Sequence, residues 1–403
     1  MRFRLLTGAT GLLLALLAVV SHLVGLTYGA NVPAPPPVRT GDLADLPAET
    51  RDRLRIVDGV PVLRLRGTPR EIGRQHGRLL RRQIRFLTKE FYEAFCLKLV
   101  GEQGIREWTK QVLPHIPEHY REEIRGIAEG AGLPEETVLR VNCIIDRLQT
   151  VFCSTVVAAG DMTEGDAVYF GRNLDFIGRN VLHKSTVVLV FESEGKAPVA
   201  AVTWPGLVGI LSGMNAHGVC GATMMIHHGT EARPGVPYMM MYRDALAGAK
   251  RMADVGDHVA KTKRTIPNNF TVVDATGAAE VLEYDATRLA RRPARGGGVC
   301  STNHFRSDEL KDVGWRLGMR RYETLDLLLT GGRGLAGGRG GKRIGYEDVR
   351  QALRDTAVPY YLNVQSMILL PTKRALHLSV GGKLPAAAQR FTKLDRAVLF
   401  GSE

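Results

Sequence analysis

Cys153 stands where the texture of the chain changes. Residues 68–150 carry helical spacing, and apolar β runs begin directly after Val-Phe-Cys-Ser-Thr. A thiol in such a place is most often a small buried hydrophobe, but its company is charged. One hairpin later the chain reads Gly171-Arg172-Asn173-Leu174-Asp175. A thiol, a guanidinium and a carboxylate together could serve nucleophilic chemistry. On a regular strand, Arg172 and Asp175 are three apart and fall on opposite faces unless the chain kinks. Cys143 is a rival nucleophile, but it lies in a helical stretch. Cys96, Cys220 and Cys300 read as core or disulfide partners.

Other chemical motifs fit less well. His115-Ile-Pro-Glu-His119 matches the H-x-x-E-H zinc pattern, which needs both imidazoles on one face of an unbroken helix. Pro117 sits between them and suits the start of a new helix. His227-His228 are adjacent and diverge on a strand. Ser212, in Gly-Ile-Leu-Ser-Gly, lacks the first glycine of a Gly-x-Ser-x-Gly elbow. Residues 331–343 approach a P-loop, yet Ala336 and Arg343 stand where Gly and Ser or Thr are needed. That stretch reads as a low-complexity surface loop. Neither a metal nor another cofactor is expected.

The elements that must position Cys153 follow from periodicity. Residues 60–66 alternate like a strand. Thr68-Pro69-Arg70-Glu71 is a capping box that opens a helix continuing to about Val100. Further helices follow Pro117 and Pro134. Strands are expected at 154–160, 167–171, 187–192, 198–204, 208–213, 218–226, 269–274 and 279–284, with a last hairpin at 364–370 and 374–380. Helices are expected at 236–249, 251–262, 315–330 and 346–355. Helices, many strands, helices and strands in that order suggest a layered α+β fold with antiparallel sheets covered by helices.

The 403 residues are 44% hydrophobic and 24% charged, ordinary values for a globular protein. They exclude a disordered chain, a collagen, a coiled coil and a polytopic membrane protein. The net charge of +13 is spread along the chain without interleaved aromatics, so no nucleic-acid partner is expected. Residues 2–4 are Arg-Phe-Arg, and Leu5 to Tyr28 contains no charge. This is a basic n-region before an apolar stretch close to the about 20 residues that span a bilayer. Residues 1–30 are thus a signal peptide or a membrane anchor, with membrane attachment through residues 5–28 if it is retained. A Pro-rich linker occupies 31–55, a helical N-terminal segment 56–152 and a catalytic region 153–403. The protein is expected to be exported, to the periplasm or the extracellular space. Five is an odd number of cysteines, so at least one thiol lacks an intramolecular partner.

From about Leu63 to Phe400 the chain resembles the self-cleaving N-terminal-nucleophile (Ntn) hydrolases that include acyl-coenzyme A:6-aminopenicillanic acid acyltransferase. More distantly it is similar to choloylglycine hydrolases and acid ceramidase. The resemblance is carried by Arg66-Gly-Thr-Pro-Arg-Glu-Ile-Gly-Arg-Gln-His-Gly77, Cys153-Ser-Thr, Gly171-Arg-Asn-Leu-Asp175, Gly213-Met-Asn-Ala-His-Gly218, Gly235-Val-Pro-Tyr238, Ser301-Thr-Asn-His-Phe305 and Met319-Arg-Arg-Tyr322, in that order. It implies an αββα sandwich of two antiparallel sheets between helical layers, preceded by a helical pro-segment and cut just before Cys153. It makes Cys153 the nucleophile, sets Arg172 and Asp175 around its thiol and amine, and gives Asn303 to the oxyanion. Asn215 matches an oxyanion-side, substrate-binding residue of the choloylglycine relatives. Cys153 to Asp175 is longer than the family pattern, so the first hairpin carries an insertion. Arg320, Arg321 and Arg354 compete for a later arginine that some relatives use. Asn215 also reads as a turn residue, and Asn303 as a helix cap.

The implied chemistry is coherent. A thiol with pKa about 8.5 is scarcely ionised at neutral pH, and an α-amine with pKa about 8 can serve as its base once the chain begins at Cys153. Arg172 favours the thiolate, Asp175 fixes the amine, and a neutral amide such as Asn303 suits an oxyanion. The expected function is cleavage or transfer of the acyl group of a small-molecule N-acyl compound through a thioester. A non-catalytic anchored binding protein of the same fold and a lipid-ester hydrolase are the alternatives.

Overall fold

The computed structural model describes residues 32–38, 53–148, 152–227, 232–314, 316, 318–331, 343–357 and 362–401. Residues 5–28, most of the Pro-rich linker, His228 and residues 332–342 of the glycine loop lie outside them. Among the described residues no helix is long and apolar enough to cross a membrane.

Strands form two sheets. The larger runs β1 (Leu54–Val57), β2 (Val60–Gly67), β5 (Val187–Ser193), β6 (Val199–Thr203), β7 (Ser212–Asn215), β8 (Cys220–Met225), β9 (Asn268–Val273), β10 (Ala279–Tyr284) and β11 (Leu289–Pro293). The smaller runs β12 (Gly298–Ser301), β3 (Ser154–Ala158), β4 (Tyr169–Asp175), β13 (Asn363–Leu370), β14 (Ala375–Val380) and β15 (Thr392–Leu394). Strand pairing is antiparallel except between β2 and β5, which run parallel. β1, β11, β12 and β15 are not among the expected strands; they are short. The strand expected at 208–213 begins only at Ser212. Between β3 and β4 lie two 3-10 turns, Gly160–Met162 and Glu164–Asp166, and these make the hairpin long.

Helices before Cys153 begin as the sequence indicates. Thr68 caps α1 (Pro69–Leu79), and Glu71 accepts the Thr68 N–H in return at 2.8 Å; such a cap is worth about 0.5–2 kcal/mol. The helical run to Val100 is broken into α2 (Arg81–Leu87), a π-helix over Thr88–Cys96 and α3 (Leu97–Val100). α4 (Glu102–Val112) precedes α5 (Glu118–Ala131) and α6 (Glu135–Cys143), which start directly after Pro117 and Pro134. Later come α7 (Tyr238–Gly248), α8 (Met252–Lys261), α9 (Met319–Thr330), α10 (Tyr346–Asp355) and α11 (Arg396–Phe400).

Period-2 alternation then sorts the layers. Val188, Val190 and Val202 of the larger sheet meet Val157, Phe170 and Leu378 of the smaller. The outer face of the smaller sheet, with Val156 and Ile368, packs under Leu325 of α9 and Val349 and Leu353 of α10. The outer face of the larger sheet, with Leu63, Leu189 and Ala201, packs against α1 to α6, α7 and α8. The result is an α+β sandwich of helices, sheet, sheet and helices. The segment before Cys153 shares its core with the region after it, because β2 continues the larger sheet and α1 packs beside α5 over it.

α1 and α5 approach to backbone contact. A Cβ on Gly73 would sit 2.0 Å from the Glu123 carbonyl oxygen, and one on Gly126 would sit 2.3 Å from that of Arg70. Between Gly73 and Gly77, buried His76 accepts the Gly206 N–H at 3.0 Å. Burial drives its pKa down to about 3, so it acts as a neutral acceptor. Much of the Arg66–Gly77 motif is therefore architecture.

Candidate active site

Ser154 pairs with Asn173 in the β3–β4 ladder, so Cys153 lies beside Leu174 at the open end of the two strands. It is 0% exposed. The N–H of Phe152 donates to the Asp175 carbonyl at 2.8 Å. Arg172, also fully buried, crosses the sandwich: its Nε donates to Ser212 Oγ on β7 at 3.0 Å and its Nη1 to the Asn173 carbonyl at 2.9 Å. Its Nη2 has no hydrogen-bond partner. Burial raises the pKa of the Cys153 thiol, while the Arg172 charge and the Asp175 backbone N–H pull it back. Burial wins, and the thiol of the uncut chain is protonated at neutral pH.

Asp175 lies on the other face of β4, as the spacing requires. Its Oδ1 accepts from Asn363 Nδ2 at 2.6 Å. Its Oδ2 has no hydrogen bond and lies 3.9 Å from Arg321 Nη1. Burial lifts its pKa to about 7 despite Arg321, the Asn363 hydrogen bond and Arg172, all of which favour the carboxylate. Arg172 and Asp175 thus address two sides of one residue, the thiol and the peptide link.

Arg321 closes the group from α9. Its Nη1 donates to the carbonyls of Phe152 at 2.5 Å and Cys153 at 2.7 Å, and its Nη2 donates to Asn303 Oδ1 at 3.1 Å. Of the three competing arginines, it alone reaches the site; Arg320 and Arg354 are exposed. Asn303, just beyond β12, is fully buried and donates through Nδ2 to the Met225 carbonyl at 2.7 Å. It caps no described helix, since Gly318 precedes α9. Asn269 fixes its loop by donating to the carbonyls of Thr302 and His304, both at 2.9 Å.

Asn215 is not brought to this group. Its Oδ1 accepts the N–H groups of His217 and Val219, and its Nδ2 donates to the carbonyls of Leu246 and Ala249. These four bonds fix the β7–β8 turn against the end of α7. His115 and His119 are separated by the break at Pro117: His115 Nε2 lies 3.2 Å from Lys263, and His119 pairs with Asp244 at 3.0 Å. Among the described residues no group of three or more His, Cys, Asp or Glu could hold a metal ion. All five cysteines are free and buried.

Sequence reasoning missed Asn363 and the role of Ser212. Ser212 fails as a hydrolase serine and instead holds Arg172. Asn363 carried no signal, because it lies far along the chain in an apolar strand. A mainly apolar cavity lies under the π-helix, lined by Phe91 and Tyr92, Ile145, Phe176, Trp204 and Leu207, and by none of Cys153, Arg172, Asp175, Asn303 and Arg321. Phe176 directly follows Asp175, and its ring centroid is 5.9 Å from that of Trp204.

Residues 162–327 match the model of the family described as acyl-coenzyme A:6-aminopenicillanic acid acyl-transferase, the family that the motifs resemble. The match includes Arg172, Asp175, Asn215, Asn303 and Arg321 and begins C-terminal to Cys153. Protein dcd1B of Dictyostelium discoideum is 25% identical over 233 residues, covering 51% of this chain and 46% of that protein. The N-acylethanolamine-hydrolyzing acid amidase of Rattus norvegicus is 28% identical over 135 residues, covering 32% of this chain and 36% of that protein. The solved structure of the Caenorhabditis elegans N-acylethanolamine-hydrolyzing acid amidase ortholog aligns with TM-score 0.41 and 18% identity, covering 55% of this chain and 93% of that one. The chain spans about half the length, or less, of the curated relatives it matches.

Proposed function

From a chain whose residues 162–327 match the acyl-coenzyme A:6-aminopenicillanic acid acyl-transferase family, we propose an exported, self-cleaving cysteine amidohydrolase or acyltransferase that acts on an N-acyl compound. The observation that carries this reading is the contact of the Arg321 guanidinium with the Phe152 carbonyl at 2.5 Å. That carbonyl belongs to the peptide bond joining Phe152 to Cys153. The partly buried guanidinium points at the oxygen where negative charge develops if the neighbouring thiol attacks.

In self-cleavage the Cys153 sulfur attacks the Phe152 carbonyl carbon, and the electron pair moves to the oxygen held by Arg321. The carbon–nitrogen bond then breaks, and the nitrogen of Cys153 takes up the proton lost by the thiol. Asp175, with a pKa near neutrality, suits the carrying of that proton. Water hydrolyses the thioester, leaving a Phe152 carboxylate and a free amine and thiol on Cys153. Asp175 Oδ2, which has no hydrogen bond in the uncut chain, can then accept one from the new amine of Cys153.

In turnover the freed amine is the base, Cys153 carries the acyl group as a thioester, and Asn303 with Arg321 faces the oxyanion. The mainly apolar walls of the cavity beside Phe176 favour an apolar group over a charged one. The name of the rat relative, which hydrolyses N-acylethanolamines, supports amides of this kind. Residues 5–28 would direct export as a cleaved signal or a retained anchor.

Mass spectrometry of the purified protein tests the reading. A fragment beginning at Cys153 is expected, and Cys153→Ala should remain a single uncut chain. Cutting of that variant at the same bond would overturn the assignment of the nucleophile. A wild-type chain that stays intact and inactive on a panel of N-acyl amides favours the non-catalytic alternative.

A further inference from the structure

The register of β13 against β4 contains one irregularity, and it sits at the site. Gln365 pairs with Leu174 and Asn363 pairs with Asp175, so Val364 has no counterpart. In a regular strand, residues two apart point the same way. Gln365 faces with Leu174 and donates to Thr186 Oγ1 at 3.0 Å. The extra residue reverses the next position, so Asn363 shares the face of Asp175 instead. A bulge that re-aims one side chain beside a reactive group is a known use of such irregularities.

The amide of Asn363 is fixed at both ends. Its Oδ1 accepts the N–H of Ala387 at 2.8 Å, from a 3-10 turn at Ala386–Ala388. This leaves Nδ2 to donate to Asp175 Oδ1 at 2.6 Å. Asn363 and Asp175 are both 0% exposed, so water cannot replace the bond. With Oδ1 anchored, the other oxygen of the Asp175 carboxyl lies 3.9 Å from Arg321 Nη1, the same nitrogen that holds the Phe152 and Cys153 carbonyls.

We infer that Asn363 is the positioning residue of Asp175, a structural relay from the C-terminal turn through the β13 bulge to the proton-handling carboxyl. The inference rests on the reading of Cys153 as the nucleophile. Asn363 touches no reacting atom; it acts by orienting Asp175 and by favouring its ionised form. The other groups facing Asp175 are Arg321 from α9, Arg172 from β4 and the Cys153 thiol before β3.

Asn363→Leu keeps the volume and removes the donor. Loss of one hydrogen bond to a charged group should slow self-cleavage by about 10- to 100-fold. The pH profile of the cleavage rate should also shift to higher pH, because Asp175 then ionises less readily. Asn363→Ser, which keeps a donor, should recover part of the rate. A second arm is independent of activity. In the Cys153→Ala background, carbon-13 NMR of the Asp175 carboxyl should report a higher titration midpoint when Asn363 is Leu. If both the pH profile and the NMR midpoint stay where they were, the relay is wrong, even if the rate has fallen with the folded fraction. If Cys153→Ala is still cut, the nucleophile reading fails, and the NMR arm alone decides the Asn363–Asp175 coupling. Should Asn363→Leu fail to fold, the comparison is made with Asn363→Ser against the parent.

Discussion

Two buried arginines, Arg243 and Arg172, are treated in opposite ways. Arg243 on α7 places Nη1 at 2.8 Å from both oxygens of Glu123 on α5 and at 2.7 Å from the Val208 carbonyl. Its guanidinium also lies 3.5 Å over the Phe191 ring. This charge is neutralised, hydrogen-bonded and stacked, and it ties the segment before Cys153 to the sheet after it. Arg172 is equally buried but has no carboxylate within ion-pair distance. It is held by a hydroxyl and a carbonyl, and one nitrogen is left open. Its nearby carboxylate, Asp175, also keeps an oxygen open. An uncompensated buried charge is costly; Arg172 carries that cost where Arg243, paired with Glu123, does not, and it does so beside the Cys153 thiol, whose ionised form its charge favours.

Removing the two charges in turn should have opposite effects on stability. Glu123→Gln strands Arg243 in the core and should cost about 3–5 kcal/mol, measured as a fall in the urea midpoint with an unchanged slope. Arg172→Met should leave stability equal or higher, since an apolar residue replaces an incompletely paired charge, yet abolish self-cleavage. Equal stability losses in both variants would mean that Arg172 is structural as well.

Next in size is the pair around the oxyanion. Arg321→Met should slow self-cleavage by about 100- to 1000-fold, the range for losing one such donor. Asn303→Ala should act mainly on substrate turnover, lowering kcat of the folded enzyme far more than it raises KM, because its Nδ2 is engaged by Met225 before cleavage; the unpaired Met225 carbonyl should also lower stability by about 1–3 kcal/mol. If Asn303→Ala slows cleavage as much as Arg321→Met does, the division of labour between the two is wrong.

A smaller effect concerns the thiol itself. Arg172 lowers a pKa that burial raises, so Arg172→Gln should move alkylation of Cys153 by iodoacetamide to higher pH. An unmoved profile would remove Arg172 from the activation of the thiol.

The smallest contrasts Asp175 with Asp146, a carboxyl buried in the 3-10 turn after α6, where burial opposes its ionised form more than Thr265, the Tyr238 N–H and Arg147 favour it. Burial lifts the pKa of Asp146 to about 7. Between the unfolded value of about 4 and about 7, the folded chain holds a proton that the unfolded chain lacks. The parent therefore loses stability relative to Asp146→Asn as pH rises through that window, and the gap is constant above it. Urea midpoints at pH 5 and pH 8 read this directly. A gap that does not widen shows that burial does not outweigh those partners, while self-cleavage should be little changed in either case.

The sequence alone determined much of the local structure, because local structure rests on near neighbours. Thr68 and Glu71 make a cap wherever the rest of the chain goes. Pro117 and Pro134 start helices and break the H-x-x-E-H pattern. The unbroken apolar run Val187–Phe191 reads as a strand buried on both faces, and the change of texture at Cys153 marks the start of a strand. Even the placing of Arg172 and Asp175 on opposite faces follows from their spacing. What the tertiary structure decided are the contacts between distant residues. Arg320 and Arg321 are adjacent and chemically identical, and only the rotation of α9 against β3 turns one of them onto Phe152. Asn303 and Asn215 look alike as asparagines at the ends of strands, yet one meets Arg321 and the other spends its bonds tying the β7–β8 turn to the end of α7. The π-helix at Thr88–Cys96 leaves no mark in a 3.6-residue period that its apolar residues still nearly satisfy. Asn363 reaches Asp175 from 188 positions along the chain, through a single extra residue in a strand. A bulge arises from how two strands are forced to pair across a core, so it belongs to the packing of the whole molecule and not to the residues that form it.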